Sequence, residues 1–282
     1  MKALFIILAL VVPGVSWGEV LFQDPTGKAL SNAIADLPKK DLEESLPQNS
    51  GLQQYLMGLF YIHGAPEFHV EKSCRKAVSS LQNAWKNGVS DAAYTLSTMY
   101  YNGVCVSRDL EKSRELASES AEDGYILAQR MLGMAYVGKK WQGLYSYDVD
   151  KGVCWLSKAG NAGDRESAGQ LSDMYAKGKQ VKKDEKKSFL WLKKAVFNRF
   201  EDDNMVGFRA LAESYEKGVG TEVDLIEAYK YYDLYGAAGM KGKQRVAKKM
   251  TQEQIDEAIR QSQEWQKEHN VQVGGGFIRR AN

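Results

Sequence analysis

The 282-residue sequence predicts an all-α fold, a right-handed α-solenoid of about five helix-turn-helix repeats with N- and C-terminal capping helices. Three observations predict it. A Leu/Met–small–x–x–Tyr pattern returns five times, a second element opening on a capping residue follows each copy, and both ends carry single helical segments unlike the repeats.

The first element reads MGLFYIHG at Met57–Gly64, LSTMYYNG at Leu96–Gly103, LGMAYVG at Leu132–Gly138, LSDMYAKG at Leu171–Gly178 and LAESYEKG at Leu211–Gly218. Its tyrosines, Tyr61, Tyr100, Tyr136, Tyr175 and Tyr215, stand 39, 36, 39 and 40 residues apart. The second element opens with SCRKA, DLEKS, DVDKG, DEKKS and DLIEA, starting at Ser73, Asp109, Asp148, Asp184 and Asp224. Asp or Ser at that position is an N-cap, whose side-chain oxygen satisfies amide donors of the first turn. Gly88, Gly124, Gly163 and Gly239 close four of these elements, where a left-handed C′ residue is favoured, and Arg199 stands in the fourth.

Between cap and glycine lie Leu116, Trp155, Trp191 and Tyr231 at one register, with Ser80 the exception. Small residues recur at Ala84, Ser120, Ala159 and Ala195, with Tyr235 departing. The pattern predicts a helix–loop–helix unit of 36 to 40 residues, in which small side chains bring the helices close and Leu, Tyr and the aromatic fill the seam. One such unit cannot bury its apolar face alone, so the units must stack.

L-[G/S/A]-x-x-Y-x-x-G, a loop, then D-x-x-K-A with Trp three residues on, resembles the SLR (Sel-one-like repeat) family of tetratricopeptide-like proteins. The resemblance covers residues 51–242, five repeats. The third copy lengthens its loop with GKKWQGLYSYDVDKG, and the fourth lacks the closing glycine and inserts FEDDN at Phe200–Asn204.

The ends complete the layout. Residues 1–18 carry Lys2, the apolar run Ala3–Val12 and small residues at Ser16 and Gly18, the pattern of a cleaved secretory signal with its cut after Gly18. Residues 19–50 are expected as an N-terminal cap or linker, with Leu30, Ile34 and Leu37 covering the first repeat. Residues 243–270 are expected as a C-terminal capping helix: Thr251–Gln254 is a capping-box pattern, and Ile255, Ala258, Ile259, Ser262 and Trp265 share one helix face. Residues 271–282 are expected as a flexible tail. Tyr229, Tyr232 and Tyr235 exceed the repeat pattern and are expected to pack against the C-terminal helix.

Chemistry-bearing motifs dissolve into the repeat. SCRKA contains the Ser-x-x-Lys pairing of penicillin-recognising enzymes, but Ser73 holds the cap position and Lys76 matches Lys112, Lys151 and Lys187. The Gly218–Gly220 GVG run lacks the Gly-Lys-Ser/Thr ending of a phosphate loop. Three histidines, His63, His69 and His269, have no zinc-site spacing, so no metal and no cofactor is expected. Loops of neighbouring units lie side by side in a solenoid, which brings Cys74 and Cys105 within reach of a disulfide. Cys154, beside Trp155, is expected as a buried unpaired thiol. A net charge of +2 gives no electrostatic reason for nucleic-acid binding, and past the signal no apolar run reaches membrane-spanning length.

The resemblance implies a non-enzymatic periplasmic or secreted monomer that binds a protein on its concave face. Its expected contacts are first-helix positions that change from unit to unit: Phe60, Tyr94, Met99, Arg130, Met134, Asp173, Met174, Arg209 and Glu213. The particular expectation is an immunity protein neutralising a type VI secretion lipase effector. The alternatives are a β-lactam- or cell-wall-fragment-binding protein or enzyme, and a structural component of an envelope assembly.

Overall fold

The computed structural model describes residues 18–38, 49–200, 206–274 and 277–280, so all but Gly18 of the expected signal segment 1–18 and most of the fourth-copy insertion lie outside the described residues. The chain divides into two compact units, residues 1–21 with 36–125, and residues 22–35 with 126–282. The first holds two helical hairpins: α2 (Gly51–His63) with α3 (Cys74–Lys86), and α4 (Ser90–Asn102) with α5 (Leu110–Glu122). The second holds α1 (Lys28–Ala35) and three hairpins: α6 (Ile126–Tyr136) with α7 (Val149–Asn161), α8 (Arg165–Lys177) with α9 (Glu185–Val196), and α10 (Val206–Lys217) with α11 (Leu225–Leu234). Helices α12 (Met240–Ala247) and α13 (Gln252–Glu268) follow.

Each hairpin is closed by the same bond. The cap residue's amide donates to the carbonyl of the repeat tyrosine: Ser73 to Tyr61 and Asp109 to Tyr100 at 2.9 Å, Asp148 to Tyr136, Asp184 to Tyr175 and Asp224 to Tyr215 at 3.0 Å. The cap side chain then accepts from the amide three residues on, as Asp148 does from Lys151. The lysine at that third position lies over the tyrosine ring in the first four hairpins, Lys76 over Tyr61 at 5.2 Å and Lys187 over Tyr175 at 5.3 Å. The conserved spacing of Tyr, Asp and Lys within the repeats is therefore one local device that reverses the chain and caps the second helix.

The helices of a hairpin meet at their small residues. A Cβ on Gly58 would lie 2.6 Å from Leu81 Cγ. Ser97 Oγ donates to Ser113 O at 2.8 Å, and Ser172 Oγ to Ser188 O at 3.0 Å. Ala212 and Ala228 are fully buried. Close approach at a small residue lets the flanking Leu side chains interdigitate.

The expected register of the second helices holds at Leu116, Trp191 and Tyr231, which are buried, and fails at Trp155. In the first and third hairpins Leu81 and Leu156, one residue on, are fully buried instead, and Trp155 is only half-buried, with Lys158 Nζ 3.9 Å from its ring centroid. One residue turns a helix by about 100°, so an aromatic next to the seam still covers its edge. The same rotation corrects Cys154: Leu156 faces inward, and Cys154, two residues earlier, is exposed.

The C-terminal cap packs as its pattern demands. The Thr251–Gln254 capping box is formed, Ala258 and Ser262 are fully buried, and Ser262 Oγ donates to Asp233 Oδ2 at 2.7 Å. Tyr229 and Tyr232 are buried in this cluster and Tyr235 is packed against it. Two expectations change at the ends. Helix α1, expected with the first repeat, groups with the second unit, and none of its residues is fully buried. After α13, Val271–Gly274 pairs antiparallel with Phe277–Arg280 in a two-stranded ribbon where the sequence suggested only a tail.

Candidate partner-binding surface

The nine first-helix positions expected to meet a partner divide by burial. Phe60, Met99, Met134 and Met174 are buried in the core and are removed from the surface. Phe60 packs on Phe68 at 5.1 Å between centroids, and Met134 and Met174 belong to one cluster with Leu156 and Leu171. Met99 and Met174 immediately precede a repeat tyrosine and Met134 stands two residues before one, and all three side chains are buried. Tyr94 is half-buried, and its ring meets Tyr125 edge-on at 5.3 Å.

Arg130, Asp173, Arg209 and Glu213 remain at least partly accessible. Arg209 Nε donates to Glu213 Oε1 at 2.8 Å, one helical turn away, and both face solvent in part. That pairing raises the Arg209 guanidinium further above its ordinary range. Asp173 pairs with Lys177 at 2.7 Å on α8. These two stand in a cleft of about 370 Å³ with Lys139, Lys179 and Gln180. Gln180 Nε2 is anchored on the Val137 carbonyl at 3.1 Å, so the two loops forming the cleft are tied together. Three ammonium groups and one carboxylate make this cleft electropositive. The dense lysines of AKGKQVKK were visible in the sequence, but their convergence with Lys139 depended on the loops of successive hairpins meeting.

Arg130 has a different part. Its Nη1 lies 3.0 Å from Asp164 Oδ1 and 3.3 Å from Glu166 Oε2. Asp164 is 1% exposed and also caps α8, accepting from the Ser167 amide at 2.9 Å and the Ser167 hydroxyl at 2.6 Å. Arg130 thus neutralises a buried carboxylate, and only its outer edge lines a second cleft, of about 500 Å³, with Thr26, Arg165 and Asn198. Lys140 closes the network through an ion pair with Glu166.

A further charged cluster escaped the sequence reading. Arg245 donates to both oxygens of Glu216, at 2.7 and 2.6 Å, and Tyr232 Oη donates to Glu216 Oε2 at 2.7 Å. These hydrogen bonds, Arg245's foremost, hold the Glu216 carboxyl at about 2 against the opposing effect of burial. Burial, then the hydrogen bond to Glu216, pushes the Tyr232 hydroxyl well above its usual range.

The Ser-x-x-Lys pair is not assembled for proton transfer. Ser73 Oγ faces the Lys76 amide at 3.5 Å, while the Lys76 ammonium sits over the Tyr61 ring. Cys74 and Cys105 form a disulfide. Among the described residues no His, Cys, Asp and Glu side chains gather as a metal site, and no helix is long and apolar enough to cross a membrane.

Registered hairpins with variable charges on their first helices define a helical-repeat protein. The chain belongs to the Sel1 repeat family, whose model matches residues 54–79, 90–125, 126–164, 166–196 and 209–239. Sel1 repeats mediate protein–protein interactions. Among solved structures, it is similar to c5321, a protective antigen present in uropathogenic Escherichia coli strains displaying an SLR fold. Identity is 27%, 80% of this chain and 47% of the other are covered, and the TM-score is 0.56. The chain thus spans about half the length of that antigen. It also matches a Sel1 repeat protein from Oxalobacter formigenes, at 25% identity over 73% of this chain and 56% of that one, with a TM-score of 0.49. Immunity protein Pa5087 from Pseudomonas aeruginosa matches at 17% identity over 82% of this chain and 88% of its own, with a TM-score of 0.46.

Proposed function

We propose that this protein is an exported, non-catalytic binding module whose partner is a protein, held through exposed first-helix positions and the loops beside them. The observation that carries the reading is the lysine-lined cleft beside Asp173. Asp173 and Lys177 pair with each other there, and the exposed Lys139 and Lys179 add positive charge that would select an acidic partner. Arg209 and Glu213 extend the same logic on α10. The secretory pattern of residues 1–18 and the Cys74–Cys105 bridge support a periplasmic or extracellular location, where disulfides persist.

Affinity purification of the tagged protein from its native envelope, read by mass spectrometry, tests this directly. A stoichiometric protein partner is expected, and it is to be lost when Lys139, Lys177 and Lys179 are together changed to Glu. Recovery of the wild-type chain without any stoichiometric partner would remove the reading. The finer reading, that the partner is a type VI secretion lipase effector, comes from the family resemblance. Its test is the lipase activity of the mixed proteins, expected to be abolished at equimolar ratio; full activity in the mixture excludes it.

A further inference from the structure

Residues 18–21 make a set of contacts that the repeat does not require. Glu19 bridges Val89 in parallel: the Glu19 amide donates to the Gly88 carbonyl at 2.6 Å, and the Ser90 amide donates to the Glu19 carbonyl at 2.9 Å. The Leu21 amide donates to Oδ2 of the fully buried Asp91 at 2.9 Å. Gly18 sits at the end of this run, its amide donating to Asp123 Oδ1 at 3.0 Å, while Ser90 Oγ donates to Asp123 Oδ2 at 2.6 Å. A Cβ on Gly18 would lie 2.1 Å from Asp123 Oδ2 and 2.3 Å from Ser90 Oγ. The notch therefore excludes a side chain at the position where the secretory pattern also requires a small residue.

We propose that this notch is the seat of a processed amino terminus, with Asp123 and the Gly88 carbonyl as the groups that hold it. Hydrolysis of the Gly18–Glu19 bond by a signal peptidase consumes one water. The Gly18 carboxylate leaves with the departing segment, and the Glu19 nitrogen becomes an α-ammonium, protonated at neutral pH with an ordinary pKa near ~8. One of its protons keeps the existing bond to the Gly88 carbonyl. Departure of Gly18 removes the amide that Asp123 Oδ1 had accepted and vacates the space against that carboxylate. The ammonium is one residue along the chain from the donor it replaces, a step of roughly 3.8 Å between consecutive Cα atoms. A neutral amide–carboxylate bond is thereby exchanged for a charge-assisted one. The Glu19 and Leu21 backbone bonds keep the new terminus in register while the exchange occurs.

The inference rests on the export reading, and the test separates the two. The full chain is expressed with its own leader, and the protein recovered from the envelope fraction is weighed intact. A mass beginning at Glu19 is expected. An unprocessed chain overturns both export and the seat, whereas a processed chain beginning elsewhere overturns the seat alone. The α-amine is then acetylated with acetic anhydride, folded and in urea. Folded wild type is expected to react about fivefold more slowly than the unfolded chain, and Asp123→Asn to recover most of that difference. Equal rates in folded and unfolded wild type overturn the proposal, and this comparison needs no variant to fold.

Discussion

Gly133 and Leu156 approach so closely that a Cβ on Gly133 would lie 2.7 Å from Leu156 Cγ and 2.9 Å from the Leu156 backbone nitrogen. The second contact is with backbone, which cannot swing aside, so the third hairpin closes only over a glycine. Gly133→Ala is expected to destabilise the protein by about 1–3 kcal/mol, the usual range for overpacking. Gly169, on α8, supplies the opposite case, because nothing lies within 4 Å of its added Cβ. Gly169→Ala is expected to stabilise by about 0.5–1 kcal/mol through helix propensity and a less disordered unfolded chain. Urea unfolding of both variants checks the pair, and the same sign for both would contradict the packing account.

Arg130 and Asp164 carry a second prediction. Removing the guanidinium leaves a carboxylate that is 1% exposed with the Ser167 amide and hydroxyl on one oxygen, so Arg130→Ala is expected to lower stability by about 3 kcal/mol, the low end for a broken buried pair. Arg209→Ala, by contrast, breaks only a solvent-facing pair within one helix and should leave the midpoint of unfolding almost unchanged. Thermal melts of the two variants distinguish a structural arginine from a surface one.

Acid stability should reflect Glu216. Its folded carboxyl titrates near 2, below the ordinary 4.5, because Arg245 and Tyr232 favour the charged form. A depressed folded value means that the contribution is fully present above about 4.5 and is lost as pH falls through that value toward about 2. Glu216→Gln should therefore lower stability at pH 7 and flatten the fall between pH 4.5 and 2. Chemical unfolding at several pH values measures it; a profile as steep as wild type would point to other carboxylates.

The disulfide closes a separation of 31 residues in the first unit. Loop entropy predicts that Cys74→Ser with Cys105→Ser lowers stability by roughly 3–4 kcal/mol. A reducing agent should do the same to wild type and nothing further to the double variant. Cys154, exposed and unpaired, should be the single thiol that reacts with a maleimide in the unreduced folded chain.

Much of the fold was legible because its determinants repeat at short range. The Asp or Ser cap and the tyrosine carbonyl it ties to, with a lysine in four of the five copies, lie within one loop of each other, so the pattern shows without knowledge of any distant contact. The capping box at Thr251 is equally local. The candidate surface was less legible. Met99, Met134 and Met174 looked like variable outward positions, and each is buried because the neighbouring helix arrives on that side. Trp155 and Cys154 misled for a related reason: which of three consecutive residues faces inward depends on a rotation of the whole helix.

By itself, the sequence determined the hairpins, their caps, their small-residue crossings and their family, since these follow from hydrogen bonds and side-chain volumes within about forty residues. Tertiary structure alone decided which charges are spent internally, as Arg130 is on Asp164 34 residues away, and which stay exposed in a shared cleft, as Lys139 and Lys179 do. It alone brought Gly18 onto Asp123 across 105 residues. The reason is physical: periodicity records what each helix must bury, but burial, ion pairing and accessibility are set by where separate helices and loops finally meet.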